Sequence, residues 1–391
     1  MIKFLQKLQR RTPLGWLQLS RDRGRLRVAL AGIAFADVLM FMQLGFQNAL
    51  YDSNTRVDRA MMADVILYSP KALNLQNLST FSRRRLLQAM DVPGVQQTSG
   101  LYISNLTWKN PQTRLSATVQ VLGFDPDIPA FDLPEVNQQL AKIKLPDVVL
   151  FDRGARGKIA ETIAQLDLGQ SVTTEVDRRT LTIGGLFRLG ASFGADASLM
   201  ASDQTFLRLF PRRDAASVSL GLIRVKPGYS PDLVAADLRV RLPVDVQVLT
   251  APEFVQFEEN YWRTASPVGF IFGFGTAMAF VVGVVIVYQV LSTDVNAHLK
   301  EYATFKAMGY HNSYLLGVVF EEAIILACLG FIPGFLLPNV LYALAASATS
   351  LPLYMTLSRA ILVLSLTMLM CMLSGAIATR KLQSADPADI F

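Results

Sequence analysis

The chain has 391 residues, of which 51% are hydrophobic and 17% are charged, so it is too apolar for an ordinary soluble protein and too charged to lie wholly in lipid. Its net charge of +6 comes almost entirely from residues before the first apolar segment. This distribution does not predict a basic surface that follows a phosphate backbone, so nucleic acid is excluded as a partner and a membrane protein with a soluble domain is favoured.

The first apolar segment, residues 28–51, contains a single charged residue, Asp37. It is long enough to cross a hydrocarbon core, which needs about 20 residues. It is also longer than the apolar part of a signal peptide, and no small-residue cleavage site ends it. We therefore predict a retained transmembrane helix.

Three further apolar segments follow a long polar region. Residues 268–291 and 360–379 are uncharged and predict two more transmembrane helices. Residues 314–342 predict another, although Glu321, Glu322 and two prolines interrupt it. The sequence therefore predicts four transmembrane helices.

The Lys and Arg residues set the predicted orientation. Eight of them precede the first transmembrane helix and place the N-terminus in the cytoplasm. Four crossings return the C-terminus to the same side. The prediction is a multi-pass inner (plasma) membrane protein with a cytoplasmic loop and a cytoplasmic tail on one side, and a large domain and a short loop on the other. The cytoplasmic loop is 292–313 and the cytoplasmic tail is 380–391. The large domain on the other side is 52–264, and the short loop there is 348–359.

The region 52–264 alternates strand-like and helix-like runs, which is typical of a mixed α/β domain. The runs fall into two sets, which suggest two lobes. Residues 190–201 are mostly small, and this composition favours a surface loop over a ligand-binding loop.

The residues needed for catalysis or metal binding are not grouped in the sequence. His298 and His311 lie in the short loop, and both cysteines, Cys328 and Cys371, lie in apolar segments. The GARGK fragment at 154–158 has Asp152 where a phosphate-binding loop needs glycine. We therefore predict no catalytic residues, no metal site and no cofactor bound by this chain.

Three acidic residues, Asp37, Glu321 and Glu322, lie within the predicted transmembrane helices. A charge at a helix centre costs about 2.5–3.5 kcal/mol unless it is paired or wet. A contact to a proton or substrate would explain these residues, but hydrogen bonds between helices explain them more simply. We expect structural roles.

The loop 292–313 places Val295, Leu299, Tyr302 and either Phe305 or Lys306 at helical spacing with charges between them. This pattern predicts a short amphipathic helix. Such a helix could lie on the lipid surface or dock into a groove on a cytoplasmic partner, and periodicity does not separate the two.

The sequence of this loop resembles the signature R-x-R-E-I-G-x-x-R-A-I-G of the FtsX-like permeases, the family of MacB and of the LolC and LolE exporters. Glu301, Lys306, Ala307 and Gly309 match or nearly match it, whereas His298 and Ala303 depart from it. The third apolar segment and the C-terminal tail also resemble the family; the matching residues are Glu322, Ala323, Gly330, Gly334, Asp386 and Pro387. Within the family the chain looks most like the DevC permeases.

The resemblance implies a MacB/FtsX-like, type VII architecture, with four transmembrane helices and the α/β domain inserted between the first and second. It also implies that residues 1–27 form a cytoplasmic amphipathic helix and that two copies form a homodimer. The loop would then contact an ATPase and couple its movement to the membrane. The coupling residues would be His298, Lys300, Glu301, Tyr302, Phe305, Lys306, Ala307, Met308 and Gly309.

The partners implied by the resemblance are separate chains. A DevA/LolD-like cytoplasmic ATPase would bind ATP and Mg, so this chain would be a non-catalytic permease subunit. A DevB-like periplasmic membrane fusion protein and a TolC-like outer-membrane duct would carry a glycolipid or another amphiphile outward by mechanotransmission.

Two alternatives remain open. The same architecture would serve an FtsX-like regulator that activates periplasmic cell-wall hydrolases. The intramembrane acids Asp37, Glu321 and Glu322 would suit an autonomous secondary transporter or a membrane-anchored enzyme.

Overall fold

The computed structural model describes residues 16, 21, 23–110, 114–157, 160–176, 179–298, 301, 304 and 308–384. The chain divides into two units. The helical unit takes the residues up to Asn48, Phe270–Ala346 and those from Leu353 onward. The sheet unit takes Ala49–Gly269 with Ser347–Pro352. The predicted N-terminal helix over 1–27 lies largely outside the described residues.

Among the described residues, four helices are long and apolar enough to cross a membrane. We call them spans 1 to 4, and their bounds are Arg23–Asn54, Pro267–Ala297, Asn312–Thr349 and Leu357–Ser384. Each contains one of the apolar segments predicted from the sequence.

Span 3 differs from the sequence prediction in its length. Pro333 and Pro338 lie inside a helix that continues to Thr349. Each proline removes one backbone hydrogen bond. Transmembrane helices tolerate this loss because neighbouring helices and side chains can satisfy the freed backbone group. The helix ends where Ser350 adopts a positive φ of 56°, a conformation that commonly terminates helices.

Small residues allow close packing within the helical unit. A Cβ on Gly283 would lie 2.1 Å from the Met370 sulfur and 2.9 Å from the Ala36 Cβ. A Cβ on Gly330 would lie 2.6 Å from Ile33. Such close approaches are how membrane helices gain van der Waals contact when the hydrophobic effect between them is weak. The interior they form is apolar and buried.

The sheet unit contains eleven strands and eight short helices within the described residues. The strands are β1 Val65–Tyr68, β2 Phe81–Ser82, β3 Val95–Lys109, β4 Ser116–Phe124, β5 Val148–Asp152, β6 Val172–Val176, β7 Arg179–Phe187, β8 Ala197–Ser202, β9 Ser217–Val218, β10 Leu220–Val225 and β11 Gln247–Thr250. The helices are α1 Arg56–Ala60, α2 Arg84–Met90, α3 Pro134–Asn137, α4 Leu140–Ile143, α5 Ala160–Asp167, α6 Asp203–Leu209, α7 Pro231–Arg241 and α8 Ala251–Asn260. A five-residue π-helical turn, Tyr261–Ala265, follows α8.

Nine strands form one sheet in the order β11-β1-β10-β3-β4-β8-β5-β7-β6. Most neighbours are antiparallel, but β4 pairs with β8 and β5 pairs with β7 in parallel. The two sets of elements that suggested two lobes therefore share a single sheet, because β8 pairs with β4 on one side and β5 on the other.

Helices and loops cover both faces of this sheet. Successive residues of β1 alternate between faces, so Val65 and Leu67 belong to one buried cluster and Ile66 and Tyr68 to the other. The first cluster includes residues of α2, α6 and α7, and the second includes residues of α3, α4 and α8. The α/β prediction is confirmed for this domain.

The prediction of a surface loop over 190–201 is wrong for its second half. Residues Ala197–Ser202 form β8, in which every residue is buried. Small residues suit a loop, but they also suit a central strand between β4 and β5, where space on both faces is limited. Leu199 and Met200 supply the apolar contacts to the two faces.

Asp152, the residue that rules out a phosphate-binding loop, organises two turns. Its buried carboxylate accepts hydrogen bonds from the backbone N–H groups of Gly154 (2.8 Å), Leu189 (3.0 Å) and Gly190 (2.7 Å). Burial raises the pKa of this carboxyl, and the three N–H donors partly offset the rise. The turn after β5 is thereby fixed to the turn after β7.

Replacing Asp152 by Ala is expected to lower the free energy of unfolding by about 3 kcal/mol, because three buried N–H groups lose their acceptor. Thermal unfolding of the purified full-length protein in detergent, followed by circular dichroism, measures the loss. Asp167→Ala is the control, since Asp167 forms only a half-exposed ion pair with Arg153. Equal effects of the two substitutions would contradict the assigned role.

Candidate functional site

The structure describes four of the nine predicted coupling residues: His298, Glu301, Met308 and Gly309. Met308 is 61% exposed, and Gly309 has a positive φ of 90° that glycine adopts readily. The other five lie outside the described residues; they are Lys300, Tyr302, Phe305, Lys306 and Ala307. The amphipathic loop helix therefore stays a prediction.

His298 joins a cluster of charged side chains that we call the Asp294 cluster; its members are Arg25, Asp294, His298, Glu301 and Glu322. The Arg25 Nη1 atom lies 3.5 Å from Asp294 Oδ1, and His298 Nε2 lies 3.9 Å from the same oxygen. His298 Nδ1 lies 3.1 Å from Glu301 Oε2. The Glu322 carboxyl also faces Asp294. The cluster thus joins spans 1, 2 and 3 to the first residues of the loop.

The centre of this cluster is withdrawn from solvent. Asp294 is 5% exposed and Glu322 is fully buried. Two buried carboxyl groups that face each other repel unless protons or cations compensate, and here Arg25 supplies a nearby positive charge. A displacement of the loop would therefore change the electrostatic contacts of three spans together.

Sequence reasoning found Glu322 and His298 but missed Arg25 and Asp294. The predicted second transmembrane helix ended at residue 291, which left Asp294 in the loop. In the structure, span 2 continues to Ala297 and places Asp294 on its last turn. The available signal was helical spacing, because Asp294 and His298 are separated by four residues and so share a face.

Asp37 of span 1 contacts residues of spans 3 and 4; its structural role stays a prediction. The Thr367 hydroxyl of span 4 donates a hydrogen bond to Asp37 Oδ1 at 2.6 Å. In span 3, Gly334 leaves room for the carboxylate, since a Cβ there would lie 2.7 Å from Asp37 Oδ2. Asp37 is fully buried, so this contact replaces water as its hydrogen-bond partner.

Other polar contacts also connect the spans. Ser374 of span 4 donates to the Val284 carbonyl of span 2 at 2.8 Å. The Tyr342 hydroxyl of span 3 donates to the Phe41 carbonyl of span 1. Within the helical unit, every span is therefore tied to at least one other by a side-chain hydrogen bond. Glu321 is half-buried beside Glu322 and makes no such contact among the described residues.

In the described part of the chain, no group of three His, Cys, Asp or Glu side chains is arranged to hold a metal ion. Cys328 is exposed and Cys371 is buried, and both are free thiols. The prediction that this chain binds no cofactor stays a prediction.

The fold and these contacts define a class: a helical membrane protein with a large mixed α/β domain between its first and second spans. Residues 273–387 match the protein family described as FtsX-like permease C-terminal. This match covers most of span 2, the loop that contains His298 and Glu301, and spans 3 and 4. Residues 273–387 are therefore similar to the C-terminal domain of FtsX-like permeases. No curated protein sequence is significantly similar to the chain.

Solved structures with some similarity come from bacterial transport proteins. The extracellular domain of the noncanonic ABC-type transporter YknZ from Gram-positive bacteria is 11% identical with a TM-score of 0.32, over 48% of this chain and 99% of that one. The periplasmic region of MacB from Actinobacillus actinomycetemcomitans is 13% identical with a TM-score of 0.34, over 52% and 95%. A domain of a permease protein from Porphyromonas gingivalis is 12% identical with a TM-score of 0.29, over 49% and 89%.

The packing of Gly334 against Asp37 gives a direct test of the helical unit. Gly334→Ala is expected to lower the melting temperature of the full-length protein, because the new Cβ would lie 2.7 Å from the Asp37 Cβ and side-chain oxygen. Gly273→Ala, also in a span, is the matched control, since no atom lies within 4 Å of the added Cβ. Alanine favours helices over glycine by about 1 kcal/mol, so the control should be neutral or stabilising. A stabilising Gly334→Ala would contradict the packing.

Proposed function

We propose that this chain is the permease subunit of an ABC exporter of the DevC type, which transmits movement from a cytoplasmic ATPase to the sheet domain. That movement drives export of a glycolipid or another amphiphile. The observation that carries the proposal is the FtsX-like permease match over residues 273–387. Four long apolar helices and a large α/β domain between the first two agree with it.

The proposed topology follows from the distribution of Lys and Arg. The eight basic residues before residue 28 keep the N-terminus in the cytoplasm, and four crossings return the C-terminus there. The protein then resides in the inner membrane with the sheet domain in the periplasm. On this topology, the Asp294 cluster lies at the cytoplasmic ends of the spans, where an ATPase would bind.

The Asp294 cluster supports coupling through the loop. His298 and Glu301 are the first predicted coupling residues, and His298 lies close to Asp294, which in turn contacts Arg25. An ATPase that moves the loop would therefore act on spans 1, 2 and 3 through charged contacts. ATP and Mg would be bound by that partner.

The interior of the helical unit supports transmission of movement over passage of substrate. Its described core is apolar and buried, and Asp37 is engaged by Thr367. Tight packing of this kind carries displacement from one end of a helix to the other. Substrate would then move through periplasmic partners, a DevB-like membrane fusion protein and a TolC-like duct.

The proposed assembly is a homodimer with a DevA/LolD-like ATPase. Span 2 exposes Phe270, Phe274, Met278, Val281 and Val285 on its surface. Exposed apolar side chains grouped in this way are normally covered by lipid or by protein. A second copy would cover part of it in the homodimer, and lipid would cover the rest.

Reversing the charges of the loop should abolish ATPase binding. The double variant Glu301→Arg and Lys306→Glu is expected to lose the ATPase from affinity-purified complexes while keeping the parent melting temperature. The matched control reverses an exposed ion pair of the sheet domain, Asp127→Arg with Lys144→Glu, and should retain the ATPase. Parent-like recovery of the ATPase with the loop variant would count against the coupling assignment.

An FtsX-like regulator of cell-wall hydrolases is the alternative that the family match equally allows. Purification of the intact complex from membranes, with mass spectrometry of the bound proteins, separates the two. Export predicts that a membrane fusion protein and a duct protein co-purify with the chain. Capture of a wall hydrolase in their place would establish the regulator and end the export proposal.

A further inference from the structure

Two short helices form the connections between the sheet domain and the spans. Helix α1 (Arg56–Ala60) begins directly after span 1 ends at Asn54, and α8 (Ala251–Asn260) leads through one π-helical turn to span 2. Both connections lie within the sheet unit. The two helices pack against each other. The covalent connections from spans 1 and 2 to the sheet therefore run through this helix pair.

An ion pair joins the outer side of the helix pair. Arg59 Nη2 on α1 lies 3.0 Å from Glu259 Oε1 on α8, and Arg59 Nη1 lies 3.6 Å from Asp52 Oδ1. The Arg59 side chain is half exposed, so this contact adds little stability in water.

A pair of buried carboxyl groups lies on the inner side. Asp58 on α1 is 3% exposed and Glu258 on α8 is fully buried. Glu258 accepts hydrogen bonds from the Trp262 indole N–H and the Leu75 backbone N–H, each at 2.8 Å. Neither oxygen of Asp58 has a hydrogen-bond partner among the described residues. Burying a carboxylate without a hydrogen-bond partner costs free energy unless the group is protonated.

The two buried acids lie on packed helices, and the charge of Glu258 acts on Asp58. Burial raises the pKa of Asp58 well above its ordinary value, Glu258 raises it further, and Arg59 opposes the rise. Burial likewise raises the pKa of Glu258 to about 7, against the effects of Trp262 and Leu75. Two buried carboxyl groups that interact electrostatically do not both ionise readily, and one bound proton removes the repulsion.

The charged groups around the pair are committed to other contacts. From span 1, Asp52 faces Arg59, and from α8, Glu259 faces the same guanidinium. Arg56 of α1 points to the Leu189 carbonyl and toward Asp152. Arg59 therefore divides its charge between Asp58 and two exposed carboxylates.

We propose that Asp58 and Glu258 share one proton, and that this proton latches α1 onto α8 where the sheet joins the first two spans. With one proton bound, the pair carries a single negative charge instead of two. Loss of the proton leaves two facing carboxylates and loosens α1 from α8. The attachment of the sheet to span 1 is therefore controlled by the pH on that side of the membrane.

The direction of the pH effect follows from the raised pKa. A carboxyl that holds its proton more tightly in the latched state stabilises that state fully below its ordinary pKa of about 4.5, and this stabilisation is lost as pH rises to about 7. Above that pH no further change is expected, because the latched pair has also ionised.

Hydrogen–deuterium exchange on the unmodified full-length protein in detergent tests the latch without a substitution. After correction for intrinsic rates, the amides of residues 56–62 should lose protection by up to about tenfold per pH unit between about pH 5 and pH 7. The amides of the β3–β4 pairing should not change. Constant protection of residues 56–62, or an equal loss across the whole sheet, would overturn the proposal.

A matched pair of variants tests the identity of the proton site. Asp58→Asn removes one of the two ionisable groups with little change of size, so residues 56–62 should stay better protected at about pH 7 and show a weaker pH dependence than the parent. Asp91→Asn alters an exposed acid of the same domain and should behave like the parent. If Asp58→Asn keeps the parent's pH dependence, the proton is held elsewhere and the latch is excluded.

Discussion

A polar group withdrawn from water must find a partner within the protein, and this constraint shapes both units. In the helical unit it pairs Asp37 with Thr367 and Arg25 with Asp294, so spans that are distant in sequence are held together. In the sheet unit it gives Asp152 three backbone donors. Most of these partners lie on another span or in the turn after another strand, so these contacts also fix the packing.

The need to pair buried polar groups has different consequences in the two units. In the helical unit the polar contacts are few, and small residues such as Gly283 and Gly330 allow the close approach that holds the spans together. The proposed function requires such a bundle to move as a whole rather than open a polar path. In the sheet unit, α1 and α8 are the helices that adjoin spans 1 and 2 along the chain.

Much of this could be read from the sequence, and the failures have physical causes. The four apolar segments and the α/β alternation each leave a local pattern. The strand Ala197–Ser202 leaves none, because its small residues suit a loop as well as a strand between two neighbours. Asp294 was assigned to the loop because hydropathy falls before the helix ends. Hydropathy marks where apolar residues stop, whereas the backbone hydrogen bonds of a helix continue.

The sequence by itself determined the number of apolar helices, the position of the large domain between the first two, and the resemblance of the loop to a permease signature. These features depend on composition and on the local order of residues, so they can be recognised without the folded structure. Only the tertiary structure decided which charges meet. Arg25 with Asp294, and Asp58 with Glu258, are separated by hundreds of residues. No local pattern relates such residues, because their proximity arises from how the helices pack.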